Sequence, residues 1–87
     1  MPTVVATHDV KDVEHWLSSP KRAEFFGPLG VTTIRTFVNP TDRSHVSISM
    51  DVPDMDAMMA ALQSEAGAAA MEYDGVLGET LVIYIQE

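Results

Sequence analysis

Cysteine is absent from this 87-residue chain, basic residues are scarce, and no apolar run comes near the length of a membrane span. Without cysteine the chain can form no disulfide, no thiolate nucleophile and no sulfur-ligated metal site. A transmembrane helix needs about 20 consecutive apolar residues, and the N-terminus shows no basic segment followed by a hydrophobic stretch. We therefore expect a cytoplasmic protein with no signal peptide and no membrane partner.

The chain is acidic, with 13 acidic residues against 5 basic ones and a formal net charge of -8. Such a surface repels phosphate backbones, so we do not expect nucleic acid as a partner. Hydrophobic residues make up 46% of the chain, which predicts one folded domain over residues 1–87. A domain of this size buries only about 60% of its unfolded surface. Because disulfides are excluded, we expect self-association to add stability.

Residues 45–52 alternate polar and apolar side chains without interruption. A period of two predicts a strand with one apolar and one polar face. We expect the chemistry of the protein on the polar face. Its side chains are His45, Ser47, Ser49 and Asp51.

Three other stretches have the composition of strands. β-branched and apolar residues predict strands at residues 3–10, 31–38 and 79–86. Turn-forming residues over 39–44 predict a hairpin, which makes the second and third strands antiparallel.

Helices are predicted in the intervals between these strands. Asp9 and Asp12 offer caps for a short helix carrying Trp16. A second piece is expected over residues 20–26, because Ser and Pro interrupt the first helix before it. A longer helix follows Asp54, with methionines on one face; we expect Gly67 to end it, and residues 68–73 to form a short extra turn.

The order strand, helix, strand, strand, helix, strand is the ferredoxin-like βαββαβ arrangement of the α+β class. Right-handed crossovers place both helical regions on one face of a four-stranded antiparallel sheet. We expect the other face to pair with a second copy, forming a homodimeric α/β barrel that encloses a pocket. Besides the polar side chains of the third strand, that face is expected to carry Val31, Thr33, Arg35 and Phe37 of the second strand and Thr80, Val82 and Tyr84 of the fourth.

Four segments resemble small dimeric α/β-barrel proteins of actinobacterial type. They are the opening Ala-Thr-His-Asp-Val-Lys-Asp-Val-Glu-His-Trp of residues 6–16, the Gly-Val pair at 30–31, the Asp-Val-Pro-Asp-Met-Asp-Ala of 51–57 and the Gly-Glu pair at 78–79. The resemblance covers essentially the whole chain. It implies a superfamily that includes cofactor-free quinone-forming monooxygenases, polyketide cyclases, muconolactone-type isomerases, haem-degrading enzymes and members without known activity. It also implies a ligand between sheet and helices or inside the barrel, handled by His, Tyr, Asn or Trp.

His8, His45 and Tyr84 are the candidates for acid–base catalysis. The imidazole of His8, with an ordinary pKa of about 6.5, could accept a proton from a phenol or a carbon acid; alternatively it is a structural histidine bonded to a loop. The resemblance also implies plant-type cyclases, which use a histidine on the first strand together with a second histidine after the second helix. In this chain residues 67–71, which follow the second helix, contain no histidine. Residues spaced along one strand cannot meet as a Ser-His-Asp triad, so His45 is either a ligand-orienting group or part of a polar dimer seam. Tyr84 could donate a phenolic proton or simply pack in a barrel lining.

Trp16, Arg35, Ser49 and Asp51 are the candidates for ligand binding. Arg35 would either clamp a carboxylate or phenolate ligand or form an ion pair with Asp51 or with an acid of a partner chain. Trp16 also fits ordinary core packing. We expect a single pocket, lined by His8, Trp16, Arg35, His45, Ser49 and Tyr84.

The histidines do not form a metal-ligand pattern. His8 and His15 lie far apart in sequence, and no set of ligands with the spacing of a metal site emerges. No metal and no cofactor are therefore predicted.

Two functional hypotheses follow from these patterns. In the first, a homodimer binds a small apolar or aromatic metabolite, such as a polyketide-like compound, with cofactor-independent cyclase or monooxygenase activity. In the second, the protein is a non-catalytic structural or interaction module whose sheet face is filled by its dimer partner. Whether the protein is an enzyme stays open at this point, since fold does not determine activity.

Overall fold

The computed structural model describes residues 2–87 and has the predicted ferredoxin-like fold. Four strands form one sheet in the order β2-β3-β1-β4, and every neighbouring pair is antiparallel. The strands are β1 (Thr3–Val10), β2 (Thr32–Val38), β3 (His45–Asp51) and β4 (Val76–Ile85). The helices are α1 (Val13–Ser18), α2 (Lys21–Phe26), α3 (Met55–Leu62) and α4 (Glu65–Asp74), and a 3-10 turn, Gly27–Leu29, follows α2.

Side-chain caps fix the beginnings of three helices. The carboxylate of Asp12 accepts a hydrogen bond from the backbone of His15, and that of Asp54 accepts one from the backbone of Ala57. Both caps were expected from the sequence, because short polar side chains satisfy the free N–H groups of a first turn. The same expectation for Asp9 was wrong, since Asp9 lies inside β1.

The region after Asp54 contains two helices of similar length. α3 ends at Leu62, and the hydroxyl of Ser64 then caps α4. Gly67 therefore lies in the first turn of α4, and the prediction that it ends a helix was wrong. A Cβ atom on Gly67 would lie 2.4 Å from the carbonyl oxygen of Ala61, so only glycine fits between the two helices.

The core lies between the helices and one face of the sheet, called here the inner face. Strand residues on this face are nearly inaccessible to solvent because their period of two directs every second side chain toward the helices. One group of them packs with Phe26, Val31 and Met58, and the other packs with Trp16. The inner-face core residues of β1 and β3 are Val4, Ala6, Val10, Val46, Ile48 and Met50.

A bulge in β2 changes which of its side chains reach the opposite, outer face. Thr32 pairs with Asp51 and Arg35 with Ser49, so two residues of β2 lie opposite one residue of β3. Thr33 adopts a φ of 57°, as the extra residue of a bulge can. Arg35 reaches the outer face as predicted, whereas the assignment of Val31 to that face was wrong, because Val31 is buried in the core.

β4 begins at Val76, before the predicted start at residue 79. Its pairing with β1 shifts register between Thr7 and Asp9. The hydroxyl of Thr80 fills the irregular stretch, because it accepts a hydrogen bond from the backbone of Asp9 at 2.8 Å and donates one to the carbonyl of Leu77 at 2.6 Å. Across residues 2–87, no helix has the length and apolar character required to cross a membrane.

Candidate functional site

The predicted site residues lie on two different sides of the sheet. His8 belongs to the inner face and Trp16 packs against that face from α1, whereas the other five lie on the outer face. The pairing shows why: His8 lies opposite Val46, and it is Asp9 that lies opposite His45. The prediction of a single shared pocket was therefore wrong. The outer-face candidates are Arg35, His45, Ser49, Asp51 and Tyr84.

A cavity of about 80 Å³ lies between the inner face and the helices. Its walls are mostly apolar and come from β1, β3 and β4 on one side and from all four helices on the other. Polar groups enter it from His8, Arg22 and Asp74, and Lys21 lies at its edge. An apolar chamber with a few convergent polar groups is the usual form of a small-molecule site.

His8 is one of two buried polar residues in the described chain, with 8% of its surface exposed. Its ring meets the edge of Trp16 at a centroid distance of 5.6 Å and an interplanar angle of 81°. Within residues 2–87 its Nδ1 atom makes no hydrogen bond of good geometry, although the backbone of Asp9 lies near enough to the ring to oppose part of the effect of burial on its pKa. Burial lowers the pKa of His8 below 6.5, because the charged imidazolium loses its hydration. The neutral ring can therefore accept a proton near pH 7.

Arg22 and Asp74 form the second polar element of the cavity. The guanidinium of Arg22 lies 4.6 Å from the ring centroid of Trp16 and donates a hydrogen bond to its carbonyl at 2.8 Å. Asp74 is the other buried polar residue, 5% exposed, and its Oδ2 lies 4.0 Å from Nη1 of Arg22. Oδ1 of Asp74 finds no hydrogen-bond partner in the described part of the chain.

Neither Arg22 nor Asp74 was among the sequence candidates. The spacing of one helix face could have identified Asp74. The residues of α4 that line the cavity follow the i, i+3, i+4, i+7 spacing: Gly67, Ala70, Met71 and Asp74. The predicted turn stopped at residue 73, one position short of the carboxylate. Arg22 likewise shares its side of α2 with cavity-lining neighbours.

The wall between α2 and α4 is thin. Lys21, Phe25 and Ala70 line both the cavity and a surface depression of about 470 Å³ on the other side of these helices. The ammonium of Lys21 lies 5.2 Å from the ring centroid of Tyr73 at the outer edge of this depression. These shared residues are thus the part of the wall that separates the cavity from the surface depression.

The outer face carries large apolar side chains beside polar ones. Phe37 is 50% exposed, Val82 46% and Tyr84 58%. Arg35, on the edge strand β2, has no carboxylate within 4.0 Å among the residues described. The carboxylate of Asp51 instead accepts a hydrogen bond from the hydroxyl of Thr3 at 2.9 Å. The alternative that paired Arg35 with Asp51 was therefore wrong.

His45 lies at one end of the outer face between two carboxylates. Its Nδ1 contacts Asp9, and its Nε2 lies 3.2 Å from Oδ2 of Asp42 in the hairpin loop. The hydrogen bond with Asp9, reinforced by the charge of Asp42, raises the pKa of His45 above 6.5. An open cleft of about 630 Å³ adjoins it, bordered by Phe37 and Ser47. In residues 2–87 no group of three or more His, Asp or Glu side chains is arranged to hold a metal ion.

No protein-family model matches the sequence, and no curated protein matches it. Solved structures do match the fold. One is a proposed antibiotic biosynthesis monooxygenase from Bordetella bronchiseptica, with a TM-score of 0.74 and 14% identity, covering 99% of this chain and 94% of that chain. Another, of the same description, is from Caulobacter crescentus CB15, with a TM-score of 0.68 and 18% identity, covering 98% of this chain and 86% of the other.

A third similar structure is an ethyl tert-butyl ether D family protein from Bacillus halodurans C-125. It has a TM-score of 0.61 and 17% identity, and the match covers 100% of this chain and 97% of that one. These likenesses confirm the ferredoxin-like fold that the sequence resemblance implied. At such low identity they carry the fold and not the activity.

Proposed function

We propose that this protein binds a small apolar or aromatic metabolite in the cavity between the inner face and the helices. The main evidence is that two buried polar residues line this mostly apolar cavity. Each has an atom without a hydrogen-bond partner in the described chain, namely Nδ1 of His8 and Oδ1 of Asp74. Leaving a buried polar group unsatisfied costs about 1–3 kcal/mol. A ligand that meets these atoms would remove that cost.

His8 is the residue that we propose for acid–base chemistry on the bound ligand. Its lowered pKa leaves the ring neutral at pH 7, and the surrounding apolar walls strengthen any hydrogen bond it makes. Proton abstraction from a hydroxyl or a carbon acid is a step in both activities expected from the sequence, cofactor-independent monooxygenation and cyclisation. The similar structures named for monooxygenases support the first of the two.

The outer face is proposed to pair with a second copy of the chain. Phe37, Val82 and Tyr84 are each about half exposed there, which favours burial against another apolar surface. His45, Ser49, Asp51 and Arg35 would then lie in the seam between two sheets rather than in the ligand cavity. The cytoplasmic location expected from the sequence stays a prediction.

Trp16 offers a direct test of ligand binding, because it is the only tryptophan and it lines the cavity. A panel of phenolic and polyketide-like compounds should change its fluorescence saturably, and native mass spectrometry should show the complex. His8→Gln should weaken binding, whereas His15→Gln, on the exposed side of α1, should not. Uniform failure of the panel to bind would contradict the proposal.

Sedimentation tests the pairing of outer faces. The unmodified protein should be a dimer at micromolar concentration, and Val82→Lys should weaken the dimer by about tenfold or more. Met59→Lys is the matched control, since Met59 is 37% exposed on α3, away from the sheet. A monomer that persists at these concentrations would exclude the dimer.

The exposed apolar side chains of the outer face also favour the second function, a non-catalytic module that acts through its dimer surface. The two functions differ in one measurement. If the protein is a dimer and no compound of the panel perturbs Trp16, the module is the better description.

A further inference from the structure

Three polar side chains line the cavity, and two of them have a buried atom without a hydrogen-bond partner within residues 2–87: Nδ1 of His8 and Oδ1 of Asp74. Arg22 donates to the carbonyls of Trp16 and Leu17 at 2.8 and 3.4 Å, so its guanidinium is held in place. The ring centroid of His8 lies 5.6 Å from that of Trp16, the guanidinium of Arg22 lies 4.6 Å from the same centroid, and Oδ2 of Asp74 lies 4.0 Å from Nη1 of Arg22, so the three side chains are grouped around Trp16. His8 and Asp74 can each form a further hydrogen bond.

The two unfilled atoms require different partners. A carboxylate oxygen such as Oδ1 of Asp74 only accepts, so the ligand must supply a donor. Nδ1 of His8 belongs to a neutral ring, where one nitrogen donates and the other accepts. With the proton on Nδ1, His8 donates to an acceptor of the ligand, and its Nε2 is the nitrogen that can take up a proton in the proposed acid–base step. A single ligand group that meets both atoms is then both a donor and an acceptor.

Common ligand groups differ in how well they meet this requirement. A ketone accepts from His8 but leaves Asp74 without a donor, and a carboxylate places a second negative charge beside Asp74. An ammonium group donates to Asp74 but must lose its water in an apolar chamber beside the positive charge of Arg22. A hydroxyl donates its hydrogen to Asp74 and accepts from His8 through its oxygen.

The size of the cavity limits the rest of the ligand. A volume of about 80 Å³ is smaller than the engineered cavity of about 150 Å³ that holds benzene. A compound of several rings would fit only if α2 and α4 moved apart at Phe25. Without such a movement, a ligand whose apolar part has at most one ring comes closest to the size of the cavity.

We infer that the ligand is a small alcohol or phenol with an uncharged hydroxyl and an apolar body, and that Asp74 selects the hydroxyl. This rests on the proposed binding of a metabolite in the cavity, and it narrows that proposal to one chemical class.

Matched pairs of compounds test the inference by titration of Trp16 fluorescence. Phenol and toluene differ by a hydroxyl in place of a methyl, and 2-methyl-1-propanol and 2-methylbutane form a smaller pair of the same kind. An apolar cavity with no partner for the hydroxyl favours toluene, because phenol gives up more hydration on entry. We expect phenol to bind more tightly than toluene by about threefold or more, since a hydrogen bond to a charged group outweighs that loss.

Asp74→Asn should weaken phenol binding by about tenfold or more, because a hydrogen bond to a charged acceptor is lost. Toluene binding should change by less than about twofold in the same variant, which shows that the cavity is intact. Asp56→Asn, an exposed carboxylate on α3, is the control and should change neither ligand.

The remaining outcomes separate this inference from the proposed function. Toluene binding more tightly than phenol to the unmodified protein, or benzoate binding more tightly than both, would overturn the hydroxyl assignment and leave cavity binding in place. Equal loss of both ligands in Asp74→Asn would give Asp74 a structural role and overturn its selective one. If none of these small compounds perturbs Trp16 while a larger compound of the panel does, this inference fails and the proposed function stands; if no compound of either set does, both fail. The comparison of phenol with toluene needs no variant, so it holds even where Asp74→Asn does not fold.

Discussion

The two faces of the sheet are built from the same strands, yet they differ in what covers them. On the inner face the helices exclude solvent from Val4 and leave a small chamber beside His8. On the outer face the next residues along β1, Val5 and Asp9 among them, meet no helix and keep more of their surface. One face has an enclosed cavity with unfilled polar atoms, and the other has an open surface with half-exposed apolar side chains.

This difference shows where a protein of this size can make strong polar interactions with a ligand. Hydrogen bonds and charges gain strength where water is excluded, and only the inner face excludes it within one chain. The polar ladder of β3 looked like the reactive face in the sequence, but it lies on the open side. Its groups would become enclosed only if a second copy covered them.

Two neighbouring valines give the most direct test of this comparison. Val4 has no exposed surface and Val5 is 37% exposed, on opposite faces of β1. Val4→Ala should lower the free energy of unfolding by about 2 kcal/mol through lost burial and a new void. Val5→Ala should change it by about 0.5 kcal/mol or less, as exposed sites do. Urea unfolding at low protein concentration measures both.

The effect of Val5→Ala on stability should also depend on protein concentration. If the outer face pairs with a second copy, the cost of Val5→Ala should rise when unfolding is measured at higher protein concentration, because the dimer is linked to folding. Equal costs for the two variants at low concentration would contradict the difference between the faces.

His8 predicts an acid sensitivity of the inner face. Its pKa in the folded protein is lowered by burial below the 6.5 of the unfolded chain, so the unfolded chain binds the proton first as pH falls. Stability should therefore drop below pH 6.5, by at most about 1.4 kcal/mol for each pH unit. Urea unfolding at several pH values should show this slope reduced in His8→Gln. An unchanged slope in His8→Gln would assign the effect to other groups.

The fold was predictable from the sequence because each part of the chain carried its own pattern. The uninterrupted alternation of residues 45–52 and the caps Asp12 and Asp54 are local features, and the structure has them where they were expected. The site was only half predictable. His8 and Trp16 were identified from residue type, but whether they share a face with His45 depends on strand register, which no single segment encodes.

The other wrong predictions concern positions where tertiary packing, rather than local sequence, determines the structure. Gly67 reads as a helix terminator, yet it is needed where two helices approach too closely for a side chain. Val31 reads as part of an alternating strand, yet the bulge at Thr33 turns it into the core. A bulge follows from how two strands pair, so the composition of β2 alone does not reveal it.

The bulge itself offers a smaller test of how the faces are assigned. A β-branched residue at the positive φ of Thr33 is strained, and glycine would relieve that strain while adding freedom to the unfolded chain. Thr33→Gly should leave stability unchanged or raise it by up to about 1 kcal/mol. Thr36→Gly, in the regular part of β2, should lower stability by about 0.5–1 kcal/mol. A loss at Thr33 as large as that at Thr36 would show that the bulge is not strained.

His45 should show the smallest effect, and one opposite in sign to that of His8. Because Asp9 and Asp42 raise its pKa above 6.5, the contribution of His45 to stability is present below that pH and is lost as pH rises through the raised pKa. Titration of the ring resonances by NMR should place His45 above 6.5 and His8 below it. Asp9→Asn should lower the pKa of His45 more than Asp42→Asn does, since the hydrogen bond from Asp9 is the larger cause. A pKa for His45 at or below that of His8 would mean that the outer face does not hold this imidazole between two carboxylates, and the contrast between the faces would lose its electrostatic part.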